Sequence, residues 1–352
     1  MQKYYTRACN FYFGKTSKEK IKKNLSLALN GNNSISFDSV EVISKTSKQI
    51  TNIKNINKLP SEIKKKVLHD LKKICKKKKI KGLDLNDPPL LMGVLNLTPD
   101  SFSDGGKYNK KNKGFDHAKY LIKKGCKIID IGGESTRPGS KIISERVELQ
   151  RVKNIIKKFK RKFPKTLLSV DTRKSSIMDY SIKKKTDIIN DVSCFKFDQR
   201  SFDMVINKNI WKVIHHMQGT PQTMQISPKY NHVLLDIYDF FEKKLRYLTK
   251  YSNQKKKFIL DPGIGFGKNL KHNLILINNI SLFHSLGFPI LIGTSRKRFI
   301  NQISGEYDTD ERIGGTLSSI IYLLSQGVQI FRVHNVEEVK QGLLVYKKIL
   351  GI

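Results

Sequence analysis

Eight short polar signatures lie between Asn96 and His334, and almost every one ends an apolar, β-branched run. Three of them carry Asp171, Asn190 and Asp261. Taken singly, either aspartate could cap the helix that follows it. Taken together, two carboxylates and an amide at strand ends suit a flat heteroaromatic ligand with ring N–H and amino donors, because an ionised carboxylate accepts two parallel N–H bonds from an amidine-like edge. Lys297, Arg332 and His334 supply the opposite chemistry. Arg332 and His334 alternate with apolar Phe331 and Val333, so both project to one side of a strand. Cations buried on that side need an anion, and a diphosphate would serve. Asn96 offers an amide oxygen, which either supports the turn Thr98-Pro99-Asp100 or meets a hard ion such as Mg2+ that retains water and phosphate oxygens.

Other constellations say less. Gly263-Ile264-Gly265-Phe266-Gly267-Lys268 fails the Walker template, since Pro262 stands where the first glycine belongs and Asn269 replaces Ser/Thr. It fails the dinucleotide fingerprint too, because Lys268 replaces the third glycine. What remains is a tight strand-to-helix turn. His215 and His216 are adjacent and must point to opposite sides of a strand. Neither has a Cys or Glu partner at zinc spacing.

The elements that must position these residues follow from the apolar pattern. Runs at Leu90–Leu95, Lys127–Ile131, Leu167–Val170, Asp187–Ile189, Trp211–Ile214, Phe258–Leu260, Pro289–Ile292 and Gln329–Val333 are separated by helical stretches. Short, near-continuous apolar strands alternating with helices predict a parallel sheet buried on both faces. One architecture gathers eight strand ends on a single rim, the α/β class (β/α)8 TIM barrel, whose active site is built from the loops after its strands. One helix carries Ala118, Leu121 and Ile122 on one face and stops at Gly125. The barrel is expected over residues 87–352, preceded by a basic α+β extension over residues 1–86. In the extension, Ile35, Phe37, Val40 and Val42 predict strand. A helix is expected after Pro60, with Ser61 as its N-cap and Ile63, Val67, Leu71 and Ile74 on one face. No catalytic signature falls in these first 86 residues.

The chain has 352 residues, enough for one barrel and an additional module. No apolar run reaches the roughly 18 residues of a membrane span, and the first residues lack the apolar core of a secretory signal. Cys9, Cys75, Cys126 and Cys194 are scattered without CxxC spacing, as expected of reduced thiols in a cytoplasm. The net charge is +37, from 67 basic and 30 acidic residues. Such a field attracts polyanions, but the surplus is mostly Lys spread along the chain among abundant Ile and Asn. It reads as compositional drift on solvated faces rather than as a nucleic-acid surface.

The run from Gly93 to Gly106 (Gly-Val-Leu-Asn-Leu-Thr-Pro-Asp-Ser-Phe-Ser-Asp-Gly-Gly) resembles the first signature of dihydropteroate synthases, and Asp130 to Gly139 resembles the second. Similar too are Ser169-Val170-Asp171-Thr172, Ile189-Asn190-Asp191, His216-Met217-Gln218-Gly219, Leu260-Asp261-Pro262-Gly263, Gly293 to Lys297, and Arg332-Val333-His334, in order and spacing from about Pro88 onward. The resemblance implies a folate-synthesis transferase that joins p-aminobenzoate to 6-hydroxymethyl-7,8-dihydropterin diphosphate with Mg2+, usually as a homodimer. It implies that Asp171, Asn190, Asp261 and Lys297 hold the pterin and that Met217 is a further substrate-binding residue. Arg332 flanks the pterin and, with Asn96 and His334, meets diphosphate and metal. Phe102, Asp104, Thr136, Arg137 and Pro138 close over the aminobenzoate. Catalysis would rest on Lys297, Arg332, His334 and Asp104. Two positions depart from the pattern: Asn335 stands where an Asp is common, and Arg298 where many members carry Ser. The nearest rival is another pterin-binding barrel, such as a methyltetrahydrofolate methyltransferase, which would have no use for the diphosphate cluster. A rival of a different class, motivated by the charge, is a nucleic-acid-binding protein on an inactive barrel.

Overall fold

The computed structural model describes residues 2–85, 89–98, 113–252, 257–305 and 308–352. The extension begins with β1 (Tyr5–Phe13), α1 (Gly14–Lys22), β2 (Leu27–Leu29), β3 (Asn32–Ile43) and β4 (Lys48–Asn52). It continues through α2 (Ser61–Ile74) to a small hairpin, β5 (Lys79–Ile80) and β6 (Leu83–Asp84). The long β3 pairs antiparallel with β1 on one edge, and with β2 and then β4 on the other. Ala8, Phe37 and Val40 from this sheet bury against Val67, Leu71 and Ile74 of α2, giving the extension its own core. The expected α2 face is present, but Ser61 is the first helical residue and Pro60 occupies the cap position without a side-chain cap. Proline's fixed φ sets the entry into the helix, and the serine hydroxyl is not needed there.

The barrel strands are β7 (Leu90–Asn96), β8 (Ile128–Gly132), β9 (Leu167–Asp171), β10 (Ile188–Asp191), β11 (Trp211–His215), β12 (Phe258–Asp261), β13 (Leu291–Ile292) and β14 (Ile330–Val333). They form one parallel sheet in the order β12-β11-β10-β9-β8-β7-β14-β13, and a parallel bridge between Leu260 and Ile290 joins its two edges. The outer layer is α3 (Lys113–Lys124), α4 (Glu145–Lys162), α5 (Ser175–Lys183), α6 (Arg200–Ile206), α7 (Val233–Tyr251), α8 (Leu270–Asn278), α9 (Arg298–Ser304), α10 (Ile313–Ser325) and α11 (Val336–Ile349). α3 ends as its sequence predicts, with Gly125 at φ +116 and its N–H on the Ile122 carbonyl.

The two-residue period of each strand sorts its side chains into two cores. Ile129, Ile131, Leu168, Val170, Ile189, Ile214, Leu260, Phe331 and Val333 point outward and pack on the helices. Met92, Ile128, Leu167, Ile188, Val213, Ile259 and Ile330 point inward and fill the lower barrel. Continuing the inward series up each strand leads to Asn96, Asp130, Asp171, Asn190, His215, Asp261, Arg332 and His334. An apolar floor therefore carries a polar mouth.

The extension closes the other end of the barrel. Ile80 and Leu85 are buried among the inward residues of the floor. Higher up, the Tyr5 hydroxyl donates to Asp239 at 2.9 Å, the Ser281 hydroxyl to the Ala8 carbonyl at 2.9 Å, and the Asn30 amide to the Gly327 carbonyl at 3.2 Å. Removing this plug exposes the floor side chains it covers, at about 1.5–3 kcal/mol for each one fully exposed. A chain lacking residues 1–86 is accordingly expected to keep pterin binding but to melt roughly 10 °C lower by calorimetry. An unchanged melting temperature would show that the plug contributes nothing.

Candidate active site

The rim residues converge because of strand register. Asn96 pairs with Gly132, Gly132 with Asp171, and Asp171 with Asn190, while His215 pairs with Asp261. Gly132 places no side chain between Asn96 and Asp171. Asn96, Asp171, Asn190, His215 and Asp261 line a cavity of about 590 Å³, together with Lys297, Arg332 and His334 and the loop residues Thr136, Arg137 and Pro138.

Three acidic or amide groups meet at the cavity base. Arg332 donates from Nε to Asp130 Oδ2 at 2.7 Å and from Nη2 to Asp171 Oδ2 at 3.0 Å. Asn190 donates to the same Asp130 oxygen at 3.1 Å. Each group keeps one oxygen back: Asp130 Oδ1, Asp171 Oδ1 and Asn190 Oδ1 are buried without a hydrogen-bond partner among the described residues. An unpaired buried acceptor costs about 1–3 kcal/mol, so these oxygens call for a ligand's N–H donors. Burial, with Asp130 beside it, raises the Asp171 pKa against the pull of Arg332. Burial likewise pushes Asp261 up to about 6, although Gly263 N–H donates to its Oδ1 at 2.7 Å. Gly263 has φ +67, and a Cβ there would lie 2.1 Å from the His216 carbonyl oxygen. Glycine is required at this turn.

Lys297, Arg332 and His334 stand among these acceptors. Lys297 is the N-cap residue of α9, and its Nζ sits 4.2 Å from the Phe266 ring centroid. Burial first, and Arg332 second, bring its pKa down to about 8. Arg332 is held firmly protonated, because Asp130 and Asp171 outweigh the cost of burial. Burial, then Arg296 and Arg332, depress His334 far below the ordinary imidazole range, and its Nδ1 lies 3.0 Å from the Ser295 hydroxyl. Asp261 is ionised above pH about 6 and Lys297 is charged below about 8. The kcat/KM profile is therefore expected to be bell-shaped with limbs near those values; a flat profile from pH 5 to 9 would remove both groups from the rate-limiting interactions.

A model of pterin binding enzymes matches residues 92–334. The dihydropteroate synthase of Escherichia coli K12 is 38% identical over 270 residues, covering 77% of this chain and 94% of that protein. The chain belongs to the dihydropteroate synthase family. The Bacillus subtilis synthase is also 38% identical, covering 73% of this chain and 87% of that protein. In three dimensions the chain is similar to the Yersinia pestis dihydropteroate synthase solved with a sulfonamide drug (TM-score 0.73, 36% identity, 78% of this chain and 98% of that one). It is also similar to the Xanthomonas albilineans synthase solved with 4-aminobenzoic acid (TM-score 0.70, 31% identity, 77% and 96%). These are (β/α)8 barrels like this one.

Among residues that the family likeness implies, Asn96, Thr136, Arg137, Pro138, Asp171, Asn190, Asp261, Lys297, Arg332 and His334 share the one cavity. Phe102 and Asp104 lie outside the described residues. Met224 lines the cavity, and Met217 is not among its lining residues. The inward residue at the end of β11 is His215, so Met217 already follows the chain as it leaves the rim. Arg332, expected to meet diphosphate, is engaged by two carboxylates through Nε and Nη2. His215 faces the cavity with Nδ1 on the Val192 carbonyl at 3.1 Å. His216 points away, into Phe240 and Lys268.

Sequence reasoning missed Asp130 and Phe266. A lone carboxylate inside Ile128-Ile129-Asp130-Ile131 was the available signal for the first. The glycine-rich turn also resolves: Lys268 folds back onto the carbonyls of Gly263 at 2.9 Å and Phe266 at 2.8 Å, so it braces the loop. At the departures from the family pattern, Asn335 still accepts Arg296 Nε at 2.9 Å, and Arg298 stands exposed on the cavity rim.

Proposed function

We infer that the chain condenses p-aminobenzoate with 6-hydroxymethyl-7,8-dihydropterin diphosphate to give 7,8-dihydropteroate and pyrophosphate. The observation that carries this reading is the pairing, within one cavity, of the buried Asp171 and Asn190 acceptor oxygens, unpartnered among the described residues, with Lys297, Arg332 and His334. The acceptors suit the pterin's amino and ring N–H edge. The charged Lys297 and Arg332, with neutral His334 beside them, suit charge that grows on the diphosphate as its C–O bond breaks. The carbon left behind is a CH2 on an electron-rich ring, which delocalises the positive charge. The neutral arylamine nitrogen then forms the C–N bond and releases a proton. No strong base is needed, and stabilisation of the leaving group is the main requirement. Closure of the loops around the cavity keeps water from the cation.

We assign Mg2+ to the Asn96 side of the cavity. Among the described residues no group of three or more His, Cys, Asp or Glu side chains could hold a metal, so the ion would take the Asn96 oxygen and complete its shell with water and diphosphate oxygens. Bound there, it supplies electrophilic stabilisation of the leaving group. Homodimerisation is the family expectation, and we extend it to this chain. No helix among the described residues is long and apolar enough to cross a membrane, and a cytoplasmic location agrees with four unpaired cysteines. The test is pyrophosphate release by the purified chain with Mg2+. Release only when both substrates are present is expected, and turnover of methyltetrahydrofolate instead would favour the rival barrel enzyme.

A further inference from the structure

Beneath the loop that bears Thr136, Arg137 and Pro138 lies a cluster of buried charges with no role in the chemistry above. Glu134, Glu148, Arg173 and Lys174 are each no more than 7% exposed. Glu134 Oε2 accepts from Arg173 Nε at 2.9 Å and Nη2 at 2.7 Å, and its Oε1 accepts from Lys174 Nζ at 2.8 Å. Lys174 also donates to Glu148 Oε2 at 2.6 Å, and the Thr172 hydroxyl donates to Glu148 Oε1 at 2.6 Å. Arg173 lies over the Phe197 ring, 4.1 Å from its centroid. Two carboxylates thus balance two cations, and each carboxylate is hydrogen-bonded on both oxygens. Ion pairs of this kind are costly to break singly, because the partner is left charged and desolvated.

The cluster has a direction. Glu134 immediately follows Gly133 at the end of β8, where the loop leaves the barrel. Its Oε1 also accepts from the Ile143 backbone N–H at 3.2 Å, where the loop returns one residue before the α4 N-cap Ser144. One carboxylate therefore fastens both ends of residues 135–142. Within the loop, the Ser140 hydroxyl donates to the Ser135 carbonyl at 2.7 Å, and the Ser140 N–H to the Arg137 carbonyl at 3.1 Å, so the intervening turn moves as a unit. Toward the neighbouring loop, the tip is joined by Gly139 N–H to the Pro221 carbonyl at 3.1 Å and by the Gln222 amide to the Ser140 carbonyl at 3.1 Å. Thr172, Arg173 and Lys174 directly follow Asp171, so the same cluster ties the loop base to a strand end that carries one of the unpartnered cavity acceptors.

We propose that Glu134 is a positioning residue for the second substrate: it fastens the base of the loop so that Thr136, Arg137 and Pro138 form the outer wall of the cavity, where the arylamine enters. The proposal rests on the dihydropteroate synthase reading for the identity of that substrate. Glu134 touches neither reacting atom. Its loss should impair arylamine capture while leaving the deeper pterin contacts at Asp171, Asn190 and Asp261 in place.

The test uses the full chain with Glu134→Ala and Glu134→Gln. For Glu134→Ala, the KM for p-aminobenzoate should rise at least about tenfold, while the KM for the pterin diphosphate stays within about twofold. Glu134→Gln keeps an oxygen for the Ile143 N–H and should fall between. Amide hydrogen exchange over residues 135–142 should speed up in the Ala variant without substrates, which reads the clamp even if the substrate assignment fails. If Glu134→Ala does not fold, Ile143→Pro removes only the closing N–H, leaves the ion pairs intact, and should raise the aminobenzoate KM alone. Parallel changes in both KM values, or unchanged exchange over 135–142, would overturn the proposal.

Discussion

Lys297→Ala and Asp261→Ala are each expected to lower kcat/KM by roughly 10²-fold or more, in proteins that still fold. The magnitude follows from what each side chain does inside a cavity that excludes water. A preorganised charged partner aimed at developing charge contributes about 10²–10³ in rate. Half-buried Lys297 has its Nζ over the Phe266 ring and lies within the fields of Arg332 and Asp261. Asp261 accepts from Gly263 N–H, and its other oxygen stands 4.0 Å from His215 Nε2 at the cavity wall. Replacing it removes an acceptor for the ring and exposes a backbone donor that then competes for ligand. Neither residue belongs to the apolar floor, so melting temperatures should change by only a few degrees. Steady-state kinetics alongside thermal melts separate the two effects; near-wild-type rates in both folded variants would remove the pterin from this cavity.

The second large effect concerns the order of binding. The cavity holds Lys297 and Arg137 near Arg332, which Asp130 and Asp171 already engage, and Lys297 and Arg137 carry charge that a diphosphate neutralises. Before that anion arrives, the mutual repulsion opposes closure of the loop bearing Arg137, whose tip is joined to the neighbouring loop through Pro221 and Gln222. After it arrives, the loop can settle over the diphosphate and complete a wall for the arylamine. The affinity for p-aminobenzoate is therefore expected to rise at least about tenfold, roughly 1.4 kcal/mol of coupling, when Mg2+ and pyrophosphate are present. Arg137→Ala should lose most of that gain and change the affinity of the free protein little. Calorimetry giving equal affinities with and without Mg2+-pyrophosphate would exclude ordered loop closure.

The rim was legible in the sequence wherever a polar residue continued an inward series. Arg332 and His334 alternate with Phe331 and Val333, and a two-residue period leaves no other face for them. Asp171, Asn190 and Asp261 were legible because each ends an apolar run. Asp130 was not, since it lies two residues below a strand end and looks like part of the core. Its role depends on Arg332, 202 residues away. In the extension, alternation predicted β3 and spacing predicted α2. The plug formed by Ile80 and Leu85 depends on two-residue strands and on contacts with residues as far away as Ile330. The Glu134 cluster escaped because Glu134, Glu148 and Lys174 come from three elements, and none of them alone departs from an ordinary charged surface residue.

Where the bond breaks is the most direct question to put to this chemistry. Pterin diphosphate labelled with a heavy isotope in the oxygen between its CH2 group and the first phosphorus should be incubated with the purified chain, p-aminobenzoate and Mg2+, and the products weighed by mass spectrometry. Attack of the arylamine nitrogen at carbon, with diphosphate stabilised by Lys297, Arg332 and His334, sends all of the label into pyrophosphate and none into dihydropteroate. Label retained in a hydroxymethylpterin product, with no C–N bond formed, would mean that the cavity hydrolyses phosphate and would contradict a synthase.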